Sequence, residues 1–120
     1  MNKYHKGYRN LKAWEFSNKL AHAIYDVTEK FPKSEIFGLV SQMRRSAVSV
    51  PANIAEGYSR NGSKERRQFY RIALSSLTEL EFYIDFSFER IFYSDTIYKS
   101  LSEKQVETAK VLTGLIKSVK

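Results

Sequence analysis

Two prolines and five glycines are the main punctuation in a chain of 120 residues, and between them apolar side chains recur at helical spacing. That pattern divides the chain into four long helical segments. The first runs from about Asn10 to Lys30, where Leu11, Trp14, Ala21, Ile24 and Phe31 form a stripe widened by Phe16, Leu20, Ala23 and Val27. Pro32 stops it, because the residue before a proline disfavours the helical basin. Ser34 is the expected cap of a second helix reaching about Tyr58, with Glu35 adding favourable charge in its first turn. Pro51 falls inside this helix. It removes one backbone hydrogen bond at a cost of roughly 3 kcal/mol, and a kink rather than a break is expected because apolar spacing persists on both sides.

Asn61-Gly62 reads as a turn and Ser63 as the cap of a third helix extending to about Phe92. Its expected inner stripe is Phe69, Ile72, Ala73, Leu80, Tyr83, Ile84 and Ile91, with Leu74, Leu77, Phe82, Phe86 and Phe88 outside it. Tyr93 to Ser100 reads as a connection. Ser102 followed by Gln105 matches a capping box and predicts the start of the fourth helix. That helix carries Val106, Ala109, Leu112, Ile116 and Val119, with Val111 and Leu115 on a second face. Four helices with short connections predict an all-α, antiparallel up-down four-helix bundle. Residues 1–120 form one domain, with 1–9 as a flexible arm.

Composition narrows the function classes. There is no cysteine, hence no disulfide, thiolate metal site or thiol nucleophile. No apolar run approaches the roughly 20 residues needed to cross a bilayer. The N-terminus shows no apolar stretch after its charges, so a cytoplasmic protein without membrane attachment is expected. The net charge of +7 is unevenly spread: residues 1–12 carry +4, residues 40–71 carry +5 and residues 99–120 carry +3, while residues 72–98 carry −4. Such segregation favours an oriented contact with a polyanion.

Candidate nucleic-acid-binding residues are Arg44, Arg45, Arg60, Lys64, Arg66, Arg67 and Arg71. The planar arginine fork suits phosphate oxygens, and Lys64 lies near a helix N-terminus that also favours anions. The opposing structural reading pairs these cations with Glu56, Glu65, Glu79 or Glu81, most strongly at Arg44 and Arg45. In the arm, Lys3-Tyr4-His5-Lys6-Gly7-Tyr8-Arg9 alternates cations with rings that could stack bases. Asn53, Glu56, Ser76 and Glu79 suggest a polar seam between the second and third helices, and Ala47, Ser49, Ala52 and Ala55 permit close helix approach.

Catalysis finds no comparable signal. Neither His5 nor His22 follows a glutamate by three residues, as a di-metal carboxylate bundle requires, and there is no glycine-rich phosphate loop. His22 and Asp26 share a face without making a metal site. No enzyme activity, cofactor or metal is expected.

The runs Leu11-Lys12-Ala13-Trp14, Phe31-Pro32, Phe37-Gly38-Leu39, Gln42 to Ser49, Asn53-Ile54-Ala55-Glu56-Gly57 and Ser76 to Glu81 resemble a bacterial family. It is the four-helix-bundle family named for proteins encoded in intervening sequences of 23S ribosomal RNA. The resemblance implies a bundle that can assemble as a ring-like pentamer. It extends to the accessory variability protein of diversity-generating retroelements, a basic pentamer that associates with reverse transcriptase and nucleic acid. Two departures touch surfaces that could set assembly: Ser75 stands where a glycine is usual, and Ser87 to Tyr93 is more aromatic. The resemblance carries over no assigned catalytic residues.

Two functions are therefore expected in competition. One is a non-enzymatic homo-oligomer, a pentamer by resemblance, binding structured RNA such as ribosomal RNA through a basic surface. The other is a scaffold that binds itself and a protein partner such as a polymerase, without touching nucleic acid.

Overall fold

A computed structural model describes residues 7–120. Gly7–Asn10 form one 3-10 turn, followed by α1 (Lys12–Thr28), α2 (Ser41–Tyr58), α3 (Ser63–Glu89) and α4 (Asp95–Ser118). A 3-10 turn at Lys33–Glu35 and a π-helical turn at Ile36–Val40 link α1 to α2. Among the described residues there is no strand. α1 packs on α2 and α4, and α3 packs on the same two helices. This closed circuit of neighbours is the antiparallel up-down four-helix bundle. Of the arm, residues 1–6 lie outside the described residues. Its remainder is helical, with Tyr8 edge-on to Trp14 at 5.3 Å between ring centroids.

The core is filled mainly by aliphatic side chains in register across the bundle. Leu20, Ile24, Met43, Val50, Ile54, Leu77, Leu80, Ile84, Leu101 and Leu112 are all fully buried. Each contributes about 1.5–3 kcal/mol by leaving water. α2 runs unbroken through Pro51, whose ring is itself buried. At the far end of α1, Phe31 packs against Phe92 and Tyr93 at 5.2 and 5.8 Å. The Tyr93 hydroxyl donates to the Ile84 carbonyl at 2.6 Å, and burial pushes this phenol well above its ordinary pKa.

Several expectations are corrected by packing. The fourth helix begins at Asp95, not Ser102: Ser94 Oγ accepts the Ile97 N–H at 3.2 Å and is the real cap. Ser102 lies two turns inside, and Gln105 is buried in the core. The core face of α4 is Leu101, Gln105, Thr108 and Leu112, two of them polar, while Val106 is exposed. Thr108 can be buried because its hydroxyl donates to the Lys104 carbonyl at 2.7 Å. Ser34 sits within the 3-10 turn, and Gly62 rather than Ser63 holds the cap position of α3, without a side-chain capping bond. Leu77 belongs to the core, whereas Ile72 and Ile91 are exposed.

Ile91 is strained as well as exposed. It follows the last turn of α3 with φ at 63°, a left-handed conformation that β-branched residues rarely adopt. The backbone forces it: Phe92 N–H bonds the Ser87 carbonyl at 3.0 Å and Ile91 N–H bonds the Phe88 carbonyl at 2.9 Å, a Schellman closure. Glycine is the residue such a position favours. Ile91→Gly is expected to stabilise the fold by about 1 kcal/mol, since 86% of the isoleucine is in water and little burial is lost. A thermal melt checks this; a lower midpoint would mean that the exposed side chain contributes contacts after all.

Candidate nucleic-acid interface

α2 and α3 are in tight contact at Gly57, where an added Cβ would lie 2.7 Å from the buried Tyr70 ring and 3.0 Å from Phe69 Cβ. This contact is why the Asn-Ile-Ala-Glu-Gly run ends in glycine. It also holds the first turns of α3, on which four of the seven candidate cations lie, against the end of α2. The polar seam between these helices consists of Ser49, Asn53 and Ser76. Asn53 Nδ2 donates to the Ser49 carbonyl at 2.8 Å, and the Ser49 and Ser76 hydroxyls share a hydrogen bond of 2.8 Å. Glu56 and Glu79 do not join it.

Those two glutamates hold arginines instead. Arg45 pairs with Glu79, which also accepts the Tyr83 hydroxyl at 3.0 Å. Burial, reinforced by the Glu79 carboxylate, raises the pKa of Tyr83. Arg60 bridges Glu56 at 2.6 Å and Glu65 at 3.3 Å, with its guanidinium 4.8 Å over the Phe69 ring. Arg44 is half-buried on the end of α1: it donates to Thr28 Oγ1 at 3.0 Å and the Tyr25 carbonyl at 3.2 Å, and lies over the Tyr25 ring. A cation at a helix C-terminus is favoured by the dipole, so Arg44 acts as a strut between α1 and α2.

The other four candidates differ. Among the described residues Lys64, Arg66, Arg67 and Arg71 form no ion pair. Arg66 donates to the Arg60 carbonyl at 2.7 Å, and Arg67 donates to the Val119 carbonyl at 3.1 Å. Both bonds position a guanidinium without cancelling its charge. Lys64 and Arg71 are exposed.

The Arg67–Val119 bond brings the C-terminal end of α4 beside the start of α3. Gly7, before α1, lies so close to the Tyr58 ring that a Cβ there would be 2.8 Å away. One end of the bundle therefore gathers the starts of α1 and α3 and the ends of α2 and α4. Residues 7–19, 54–71 and 108–120, which form this half, carry eleven Lys and Arg against three Glu. Residues 20–53 and 72–107, the other half, carry seven against ten acidic residues. The bundle is thus a charge dipole about 43 Å long with a basic pole. Burial raises the Tyr70 phenol pKa, so that residue adds no negative charge there.

Arg9, singled out in the sequence only as part of the arm, joins the pole, as do Lys12, Lys19, Lys110, Lys117 and Lys120, which sequence reasoning did not single out. Their signal was the positive charge of both chain ends, but nothing local connects those ends to the third helix. A groove of about 600 Å³ between α3 and α4 brings Lys110 and Lys117 alongside Leu74 and Thr78. The exposed rings Phe82 and Phe86, 5.9 Å apart, sit on the outer face of α3 away from the pole. His22 and Asp26 are exposed on α1, and among the described residues no cluster of three metal-ligating side chains occurs. None of the described helices is long and apolar enough to cross a membrane.

Comparison with known proteins agrees with this architecture. The chain superimposes on a crystal structure of a protein of unknown function from the S23 ribosomal protein family of Bacteroides thetaiotaomicron with a TM-score of 0.81. That similarity covers 88% of this chain and 96% of the other at 22% identity, so it speaks for the fold. No curated protein matches the chain. The family model described as 23S rRNA-intervening sequence protein matches residues 9–114, spanning the four helices almost to the end of α4. On that match, the chain belongs to the 23S rRNA-intervening sequence protein family.

Proposed function

We propose that this protein is a non-enzymatic, cytoplasmic homo-oligomer that binds structured RNA, ribosomal RNA foremost, through the basic pole of its bundle. The observation that carries this reading is the gathering at one end of eleven cations, from α1, α3, α4 and the segments flanking them, against three carboxylates. Lys64, Arg66, Arg67 and Arg71 are the central phosphate contacts, since they have no carboxylate partner among the described residues. Arg44, Arg45 and Arg60 support the scaffold and contribute charge at longer range. Binding gains its free energy from released counterions and its selectivity from shape. The family description, which names 23S rRNA, agrees with such a ligand.

Self-association, as a pentamer by resemblance, is supported by the rings left open on α3. Phe82 is 60% exposed and Phe86 40%, an apolar surface away from the cations. The same rings, together with the exposed Phe37, favour the second reading, a scaffold for a protein partner such as a polymerase.

Titrating ribosomal RNA binding against salt, with solution mass measured in parallel, separates the two. If about five phosphates are engaged, affinity should fall roughly 10²–10³-fold between 50 and 200 mM salt. A flat salt response would remove the RNA reading and leave the scaffold.

A further inference from the structure

We infer that the basic pole takes RNA as a double helix, by its backbone, and discriminates against single strands. This rests on the RNA reading above and adds the form of the ligand. Proteins that hold single strands combine cations with aromatic faces on which bases stack. The pole has the cations, but among the described residues most of its rings are already engaged. The guanidinium of Arg9 lies 4.7 Å over Trp14, and Tyr8 closes on the same indole edge-on. Arg60 covers Phe69 in the same way at 4.8 Å. Tyr70 is buried over Gly57, and Tyr58, 41% exposed, has the hydroxyl end of its ring against Gly7. Phe16 is half-buried in α1. The rings that stand most open among the described residues, Phe37 at 96% and Phe82 at 60%, belong to the other half of the bundle.

Over Trp14 and Phe69, where a base could stack at the pole, an arginine already sits. Arg9 has no carboxylate partner among the described residues, so it can attract a phosphate while it covers the ring, whereas Arg60 shares its charge with Glu56 and Glu65. Charge density points the same way. A duplex carries one phosphate per about 1.7 Å of axis and a single strand one per about 3.4 Å. Across a pole of 30 × 25 Å, the duplex presents about twice the charge density.

The test compares a 12-base-pair RNA duplex with an unstructured RNA strand of the same number of phosphates, by fluorescence anisotropy at low salt. The duplex should bind at least tenfold more tightly. The chain has a single tryptophan, Trp14, so its emission gives a second readout. It should be little quenched by the duplex, because Arg9 stays over the indole. Equal or tighter binding of the strand, or strong quenching of Trp14 when the strand binds, overturns the inference. If both probes bind alike and Lys64→Glu/Arg71→Glu weakens both, RNA binding survives and duplex selectivity does not. If neither binds in a salt-dependent way, both proposals go.

Discussion

Replacing Lys64 and Arg71 together by glutamate should lower RNA affinity by about 100-fold at 50 mM salt and make the salt dependence shallower by roughly two phosphate contacts. The two positions are seven residues apart on α3, hence on one face, and both are exposed without a carboxylate partner among the described residues. Neither side chain is needed for the fold, so the melting temperature should stay within a few degrees of the parent. The matched control is Arg45→Gln, which breaks the pair with Glu79 but lies in the other half of the bundle. Its affinity should change less than threefold, because an exposed pair contributes little and its net charge is already balanced. Equal losses for both variants would mean that binding follows total charge and that the pole has no special role.

Truncating Met43 to alanine should cost about 3–5 kcal/mol of stability. Met43 is fully buried in the middle of the Gln42-Met43-Arg44-Arg45 run, and its sulfur accepts a hydrogen bond from the Ser87 hydroxyl at 3.3 Å. Truncation opens a cavity between α2 and α3 and takes this acceptor from a hydroxyl that is itself out of water. Met43→Leu keeps nearly the same volume and should cost only about 1–2 kcal/mol, most of it from Ser87. Urea unfolding at fixed protein concentration separates the two, provided that the m-value is unchanged. A loss below 1 kcal/mol for the alanine variant would show that the site collapses and that packing there is loose. For a domain stable by 5–15 kcal/mol, the expected loss is a large fraction of the whole.

The four helices were legible because their apolar periodicity is local and because Pro32 and the Asn61-Gly62 turn divide them. The start of the fourth helix was not. Ser102 and Gln105 have the spacing of a capping box, but Gln105 is a core-facing polar residue, and only packing distinguishes the two roles. Ile72 and Ile91 read as core for the opposite reason. Their spacing fits an inner stripe, but the helix presents Leu77 there and leaves both isoleucines outside. The pairing of Arg45 with Glu79 joins residues 34 apart in sequence, so it was one of several carboxylate choices until α2 and α3 were placed side by side.

By itself the sequence determined that the chain is helical, that it divides into four segments, and that its positive charge is concentrated in three separate stretches. Only the tertiary structure decided that these stretches meet. In an antiparallel bundle, the starts of the odd helices and the ends of the even ones share one end. Cations far apart along the chain therefore become neighbours there, while the acidic stretch of α3 is carried to the opposite end. Periodicity is set by neighbours three or four residues away, but a charge pole depends on helix direction and contact, which no local pattern encodes.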